Sequence, residues 1–207
     1  MPFVPVKLTD EEILRRVQCG ERTLYVELFD RYYARVERYA RSQNNEAVST
    51  LASDTFQSAY RNVDSYQPGG MSYLAYLLKN CRRLVLMERE RPPGAPAYSA
   101  GEDRPNTNGG HGAADRPLSG GRNEPYKGTV RDALHGLSAE DRELIYLAYE
   151  ADLSRQDVMT ILEEPSLNAL SARLYQAMQR LNTMVMCLLP DGCDADVETI
   201  RPPILAE

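Results

Sequence analysis

The hydrophobic positions of this chain recur at helical spacing on both sides of one long interruption. Leu24, Leu28, Tyr32, Val36 and Tyr39 fall three or four residues apart and stripe one face of a helix. The segment that contains them opens at Thr9, with Glu12 three residues on, the arrangement in which a hydroxyl and a carboxylate cap a helix start reciprocally. A second helix is predicted over residues 46–63, with Val48, Leu51, Ala52, Phe56 and Tyr60 on its buried face. "SYQPGG" is turn chemistry, and a third helix runs from Ser72 to about Glu90, before Pro92 and Pro93 stop it.

Residues 92–127 carry half of the chain's glycines and prolines, almost no aliphatic residues and no periodicity, the composition of a flexible linker. Beyond it the helical pattern resumes over residues 129–135, 139–151, 155–162 and 167–188. Ser138 precedes Asp141 by three, as Ser154 precedes Asp157, so two of these helices carry capping signals. Short helices with tight connections, the last one long, suit a helix-turn-helix. No segment reads as a β-strand. The fold expected is all-α: two small helical domains, residues 8–91 and 128–189, joined by a flexible Gly/Pro-rich linker at 92–127 and followed by a tail at 190–207.

Composition narrows the function. Hydrophobic residues make up 43% of the 207, enough for packed cores. No apolar run is long enough to cross a membrane, and "MPFVPVKLTDEE" is no secretory signal, so a cytoplasmic protein is expected. Cys19, Cys81, Cys187 and Cys193 are scattered with no CxxC pair, and His111 and His135 are the only histidines, so free thiols and no metal or other cofactor are expected. Serine, histidine and carboxylates form no recognisable triad and no glycine-rich loop follows a strand, so an enzyme is not expected. Residues 1–91 carry 14 Lys+Arg against 12 Asp+Glu, whereas the remainder carries 10 against 18. The acidic back half argues against simple phosphate neutralisation as its mode of contact.

The order of these pieces resembles a bacterial RNA polymerase sigma factor of the extracytoplasmic-function group, which has regions 2 and 4 only. "DEEILRRVQCGERTLYVELFDRYYARVERYAR" and "LASDTFQSAYRNVDSYQPGGMSYLAYLLKNCRRLVLMERER" are similar to the two halves of region 2. "VRDALHGLSAEDRELIYLAYEADLSRQDVMTILEEPSLNALSARLYQAMQRL" is similar to the helix-turn-helix region 4. The chain departs from the family pattern in several places. Thr50 and Ser53 stand where an acid and a glutamine are usual, Tyr60 and Tyr76 where tryptophans are typical, and Arg83 aligns with an asparagine. The turn "LEEPSLN" lacks the usual glycine, and Gln176 replaces an arginine.

The resemblance implies an alternative sigma factor that binds core RNA polymerase and opens promoter DNA, with an anti-sigma factor as a possible further partner. It assigns Leu51, Ser53, Asp54 and Gln57 to polymerase. It assigns Tyr73, Tyr76, Lys79, Arg82 and Arg83 to the −10 element, where single strands need cations for phosphates and aromatic faces for bases. It assigns Asn168, Ser171, Arg173 and Gln176 to the −35 element, as polar side chains of a groove-reading helix. The residues alone leave other roles open: Tyr73 and Tyr76 as core, the arginines, including Arg35, Arg38 and Arg41, as a solvated face. Two alternatives to initiation stand beside it. One is a sigma-like interaction module that binds an anti-sigma factor or polymerase without starting transcription; the other is a stand-alone helix-turn-helix regulator.

Overall fold

The computed structural model describes residues 8–43, 48–90 and 124–189, the side chains of Ser49 and residues 124–127 excepted. Most of the expected linker and the tail lie outside these residues. Every regular element among those described is helical. The front half holds α1 (Asp10–Gln18), α2 (Tyr25–Ser42), α3 (Val48–Arg61) and α4 (Tyr73–Arg89). The back half holds α5 (Glu124–Gly136), α6 (Ala139–Tyr149), α7 (Arg155–Leu162) and α8 (Leu167–Leu188).

The expected caps form. Thr9 Oγ1 accepts from Glu12 N while the Glu12 carboxylate accepts from Thr9 N at 2.9 Å, closing the box at α1. Serine hydroxyls cap α4, α6, α7 and α8 through Ser72, Ser138, Ser154 and Ser166. The first helical segment is not continuous, however. Gly20 takes φ +107, a conformation that penalises any side chain, and a 3₁₀ turn at Arg22–Leu24 redirects the chain into α2. The amide of Gln18 then ties the end of α1 to the carbonyls of Val63 and Tyr66, at 2.8 and 2.9 Å, and fixes that corner. In the back half α5 begins at Glu124, earlier than its apolar periodicity suggests.

The core gathers the predicted stripes: Leu28, Val36 and Tyr39 of α2, Leu51, Ala52 and Phe56 of α3, and Leu74, Leu77, Leu78 and Cys81 of α4. Tyr60, expected on the buried face of α3, stands at its rim, over a third exposed, edge-on to Tyr25 at 4.9 Å. One contiguous core also takes in Leu144, Leu147, Val158 and Ile161, because the two halves pack against each other through α2 with α6 and α4 with α7.

Polar groups define that seam. Glu143 of α6, only 6% exposed, accepts a hydrogen bond from the Tyr39 hydroxyl, and Arg82 Nε of α4 lies 3.2 Å from the same oxygen. Tyr39 and Tyr146 rings pack 5.8 Å apart beside it. Asp157 of α7 accepts from both the backbone N–H and the hydroxyl of Ser72, at 3.2 and 3.0 Å, where a negative charge also suits the start of α4. Removing the Glu143 carboxylate strands a buried phenol and a half-buried guanidinium. Glu143→Ala is therefore expected to destabilise the protein by about 1–3 kcal/mol, read as a lower midpoint in urea denaturation.

The tyrosines give the fold a second measurable property. Burial raises the hydroxyls of Tyr25, Tyr66 and Tyr146 to about 12. Tyr32 also reaches about 12, by burial and then by its bond to Asp10. Burial holds Tyr39 and Tyr73 well above their ordinary value of 10, with Glu143 adding to the effect at Tyr39 and Tyr25 at Tyr73. The folded chain thus keeps protons that the unfolded chain releases above about pH 10. The associated stability is fully present below that pH and is lost as pH rises through the interval from 10 to 12. These phenols are expected to resist ionisation until the chain unfolds, so phenolate absorbance and loss of helical circular dichroism should rise together.

Candidate nucleic-acid interface

Three surfaces carry the expected site residues: the exposed part of α3, one face of α4, and the helix-turn-helix of α7 and α8. On α3, Leu51 is buried at 6% exposure, so its place is in the core. Ser53, Asp54 and Gln57 are partly exposed on the other side of the same helix. A helical spacing of three to four residues brings those three polar groups onto one patch.

The expected −10 residues of α4 divide between the front core, the seam and solvent. Tyr73 is a core residue: 3% exposed, its hydroxyl donating to that of Tyr25 at 2.9 Å. Tyr76 is half-buried and stacked on Tyr73 at 5.9 Å, with Tyr66 edge-on at 5.1 Å. Lys79 Nζ lies 3.8 Å from the Glu163 carboxylate, and Arg82 meets Glu143. Ser72, Lys79 and Arg82 therefore form a row along α4, and each faces a carboxylate of the back half: Asp157, Glu163 and Glu143. Arg83, the next residue, points to solvent. The adjacent arginines Arg82 and Arg83 are thus split by helical geometry, one into the seam and one outward. Arg82 Nε is also buried without a well-directed hydrogen bond, since its approach to Glu143 is close but oblique.

The turn between α7 and α8 explains the unusual "LEEPSLN". Glu163 ends α7 in the left-handed region at φ +58, the position that glycine ordinarily fills at no cost. A side chain there costs about 1 kcal/mol. Glu164 does not face outward, as its place ahead of a groove-reading helix suggests. Its carboxylate, 13% exposed, accepts directly from Arg173, whose guanidinium also lies 3.8 Å from Glu140. Asn168, Ser171 and Gln176 are exposed along α8, while Leu170 and Ala177 pack inward. The face has the geometry of a groove-reading helix, but its one central cation is neutralised from within the domain. The second cation of α8, Arg180, is held by buried Asp141 at 2.7 Å.

Sequence reading missed the role of the acids. Asp141 and Asp157 were expected as local capping acids; each donates its own N–H to the capping serine but sends its carboxylate to a distant partner, Arg180 or Ser72. The signal for this is the excess of negative charge in the back half, which names no partner. Cys19, Cys81 and Cys187 are free thiols, and burial raises Cys81 to about 12. Among the described residues no His, Cys, Asp and Glu groups cluster as a metal site, and no helix is long and apolar enough to cross a membrane.

No family model matches the chain. Among individual proteins it is similar to the extracytoplasmic-function RNA polymerase sigma-E factor of Haemophilus influenzae. The two are 23% identical over 193 residues, 88% of this chain and 98% of that protein. The sigma-E factor of Escherichia coli K12 is 22% identical over 191 residues, 88% of this chain and 97% of that protein. Among solved structures, CnrH in complex with the cytosolic domain of CnrY matches with a TM-score of 0.61 at 18% identity, over 86% of this chain and 97% of that one. The sigma factor RpoE from Bartonella quintana, in complex with the anti-sigma factor NepR, matches with a TM-score of 0.56 at 19% identity, over 78% and 96%. The all-helical fold is therefore that of these two solved structures, and the similarity to the named sigma-E factors spans both halves of the chain.

The internal pairing of Arg173 yields a direct expectation. In Glu164→Gln the carboxylate is lost and its shape kept, which frees one cation on the exposed face of α8. Binding of duplex DNA by the full chain is expected to strengthen, with a salt dependence steeper by about one unit of slope. The slope is read from fluorescence anisotropy at several salt concentrations; an unchanged value means that Arg173 does not approach phosphate.

Proposed function

We propose that this chain is an alternative sigma factor of the extracytoplasmic-function kind, which binds core RNA polymerase and directs promoter recognition and opening. The observation that carries the reading is the likeness to named sigma factors over 88% of the chain and nearly all of each relative. Such a protein performs no covalent chemistry; the polymerase supplies catalysis. Ser53, Asp54 and Gln57 on α3 form the polymerase contact, with Leu51 holding the helix in place. On α4, Tyr76, Lys79, Arg82 and Arg83 take the melted −10 strand, Arg83 directly and Arg82 once its ion pair opens, while Tyr73 supports Tyr76 from the core. On α8, Asn168, Ser171, Arg173 and Gln176 face the −35 groove. Residues 8–91 and 128–189 act as the two units, and 92–127 sets their reach.

The seam matters to this mechanism because the carboxylates of Asp157, Glu163 and Glu143 occupy the positions on α4 where phosphates would lie. The packed arrangement is a resting one, and DNA capture requires the halves to part. Since the Bartonella RpoE was solved in complex with an anti-sigma factor, and CnrH with the cytosolic domain of CnrY, an anti-sigma protein is a natural partner. The same seam gives weight to a second reading, a sigma-like module that binds an anti-sigma factor or polymerase without initiating.

Run-off transcription with core polymerase separates the two. Defined transcripts are expected; polymerase binding without transcripts selects the second reading. Asp54→Lys is expected to weaken core binding by about 1–3 kcal/mol, measured by fluorescence anisotropy. Arg83→Ala, at an exposed position that leaves the fold intact, is expected to reduce permanganate reactivity of unpaired promoter thymines at fixed salt.

A further inference from the structure

Seven arginines of this acidic chain have a carboxylate close by: Arg16 has Glu21, Arg22 has Asp64, Arg31 has Asp10 and Glu27, Arg35 has Asp152, Arg82 has Glu143, Arg173 has Glu164 and Arg180 has Asp141. Four others line one place. A cleft of about 280 Å³ opens at the seam between the end of α2 and the helices α5 and α6, on the side away from α7. Arg38 and Arg41 enter from α2, Arg131 from α5 and Arg142 from α6.

Arg38 and Arg131 pair with no carboxylate among the described residues. Arg41 reaches Glu37 only at 3.4 Å, with its own side chain two-thirds exposed. Arg142 is the fixed element: its guanidinium donates to the carbonyls of Leu134, His135 and Leu137 at 3.0–3.2 Å, at the end of α5. Burial lowers its pKa, and so does the nearby cation Arg89, which bonds the neutral groups of Gln43. The floor between these groups is apolar, made by Leu134, Ile145 and the ring of Tyr146, and among the described residues Glu150 is the one carboxylate on the lining.

Like charges from two halves of a protein do not converge without a cost in repulsion. A ligand that neutralises them must carry several negative charges in a small volume. Guanidinium forks suit phosphate oxygens, and one carboxylate side chain neutralises only one of the four. A nucleic-acid duplex is too wide to enter a cleft of this size, whereas small-molecule sites begin at about 300 Å³. We propose that this cleft is a binding site for a small multiply phosphorylated ligand of the nucleoside-diphosphate class. The phosphates bridge Arg38 and Arg41 to Arg131 and Arg142, and the organic part lies on Leu134, Ile145 and Tyr146. Such a ligand ties the two halves together across the seam.

The test uses the full chain alone, without polymerase or promoter, so its failure leaves the sigma-factor reading untouched. Isothermal titration with pyrophosphate and with ADP, in magnesium-free buffer, is expected to show saturable binding at one site, with ADP the tighter of the two. Sulfate at matched ionic strength is expected to show none. Arg38→Gln combined with Arg131→Gln is expected to weaken binding at least about tenfold while the helical melt is unchanged, because neither side chain supports the fold. Arg38→Lys with Arg131→Lys keeps the charge and is expected to restore most of the affinity. Absence of saturable pyrophosphate binding, equal binding of sulfate, or equal affinity in the Gln variant would overturn the proposal. So would capture of poly-glutamate or a short duplex through these arginines when pyrophosphate does not bind.

Discussion

A carboxylate buried at a contact between two helical layers constrains everything around it. Glu143 is 6% exposed, and an ion so placed costs several kcal/mol unless its charge and its lone pairs are met. Tyr39 donates to it from the middle of α2, and Arg82 brings a cation from α4. Both partners are themselves fixed, Tyr39 by full burial in the front core and Arg82 by its place between Cys81 and Leu84 on a packed helix. The geometry of the seam thus follows from one acid whose partners lie on two different helices. Apolar packing of Tyr39 on Tyr146 supplies area, but area alone would let α6 slide; the carboxylate sets the register.

The same logic recasts the charge of the back half. Eight excess negative charges would make a poor nucleic-acid surface if they were spread over solvent. Several are instead spent on internal partners. Asp141 holds Arg180, Glu164 holds Arg173, and Asp157, Glu163 and Glu143 meet the row of donors on α4. The acidity is therefore counter-charge for cations, some of which lie in the other half. Four further arginines, two from each half, line the opposite side of the seam, where α2 approaches α5 and α6.

Local rules read much of this fold from the sequence. Thr9, Ser138 and Ser154 announce helix starts, Pro92 and Pro93 announce an end, and the spacing of Leu28, Val36 and Tyr39 gives the core face. Each depends on interactions within one or two turns. What escaped has the opposite character. The break at Gly20 depends on a +107° φ that one glycine in a helical pattern does not reveal. Asp157 bonding Ser72 spans 85 residues, and Glu143 bonding Tyr39 spans 104. Periodicity cannot encode such pairings. The candidate site suffers most, because Arg82 and Arg83 are equivalent in sequence and opposite in space.

That opposition bears on how a packed form of this chain would give way to a working one. A phosphate offers Arg82 and Lys79 the same kind of acceptor that Glu143 and Glu163 offer, so exchanging one for the other conserves charge pairing. The exposed Lys79–Glu163 contact at 3.8 Å is worth a fraction of a kcal/mol and is screened by salt. The Glu143 cluster is not, since burial shields it. Parting the halves therefore has one costly step, wetting the Glu143, Tyr39 and Arg82 cluster, and several cheap ones. A partner that supplies a substitute cation or donor to Glu143 lowers that step most. A phosphate backbone, which carries only acceptors, would satisfy Arg82 but leave the acid to water.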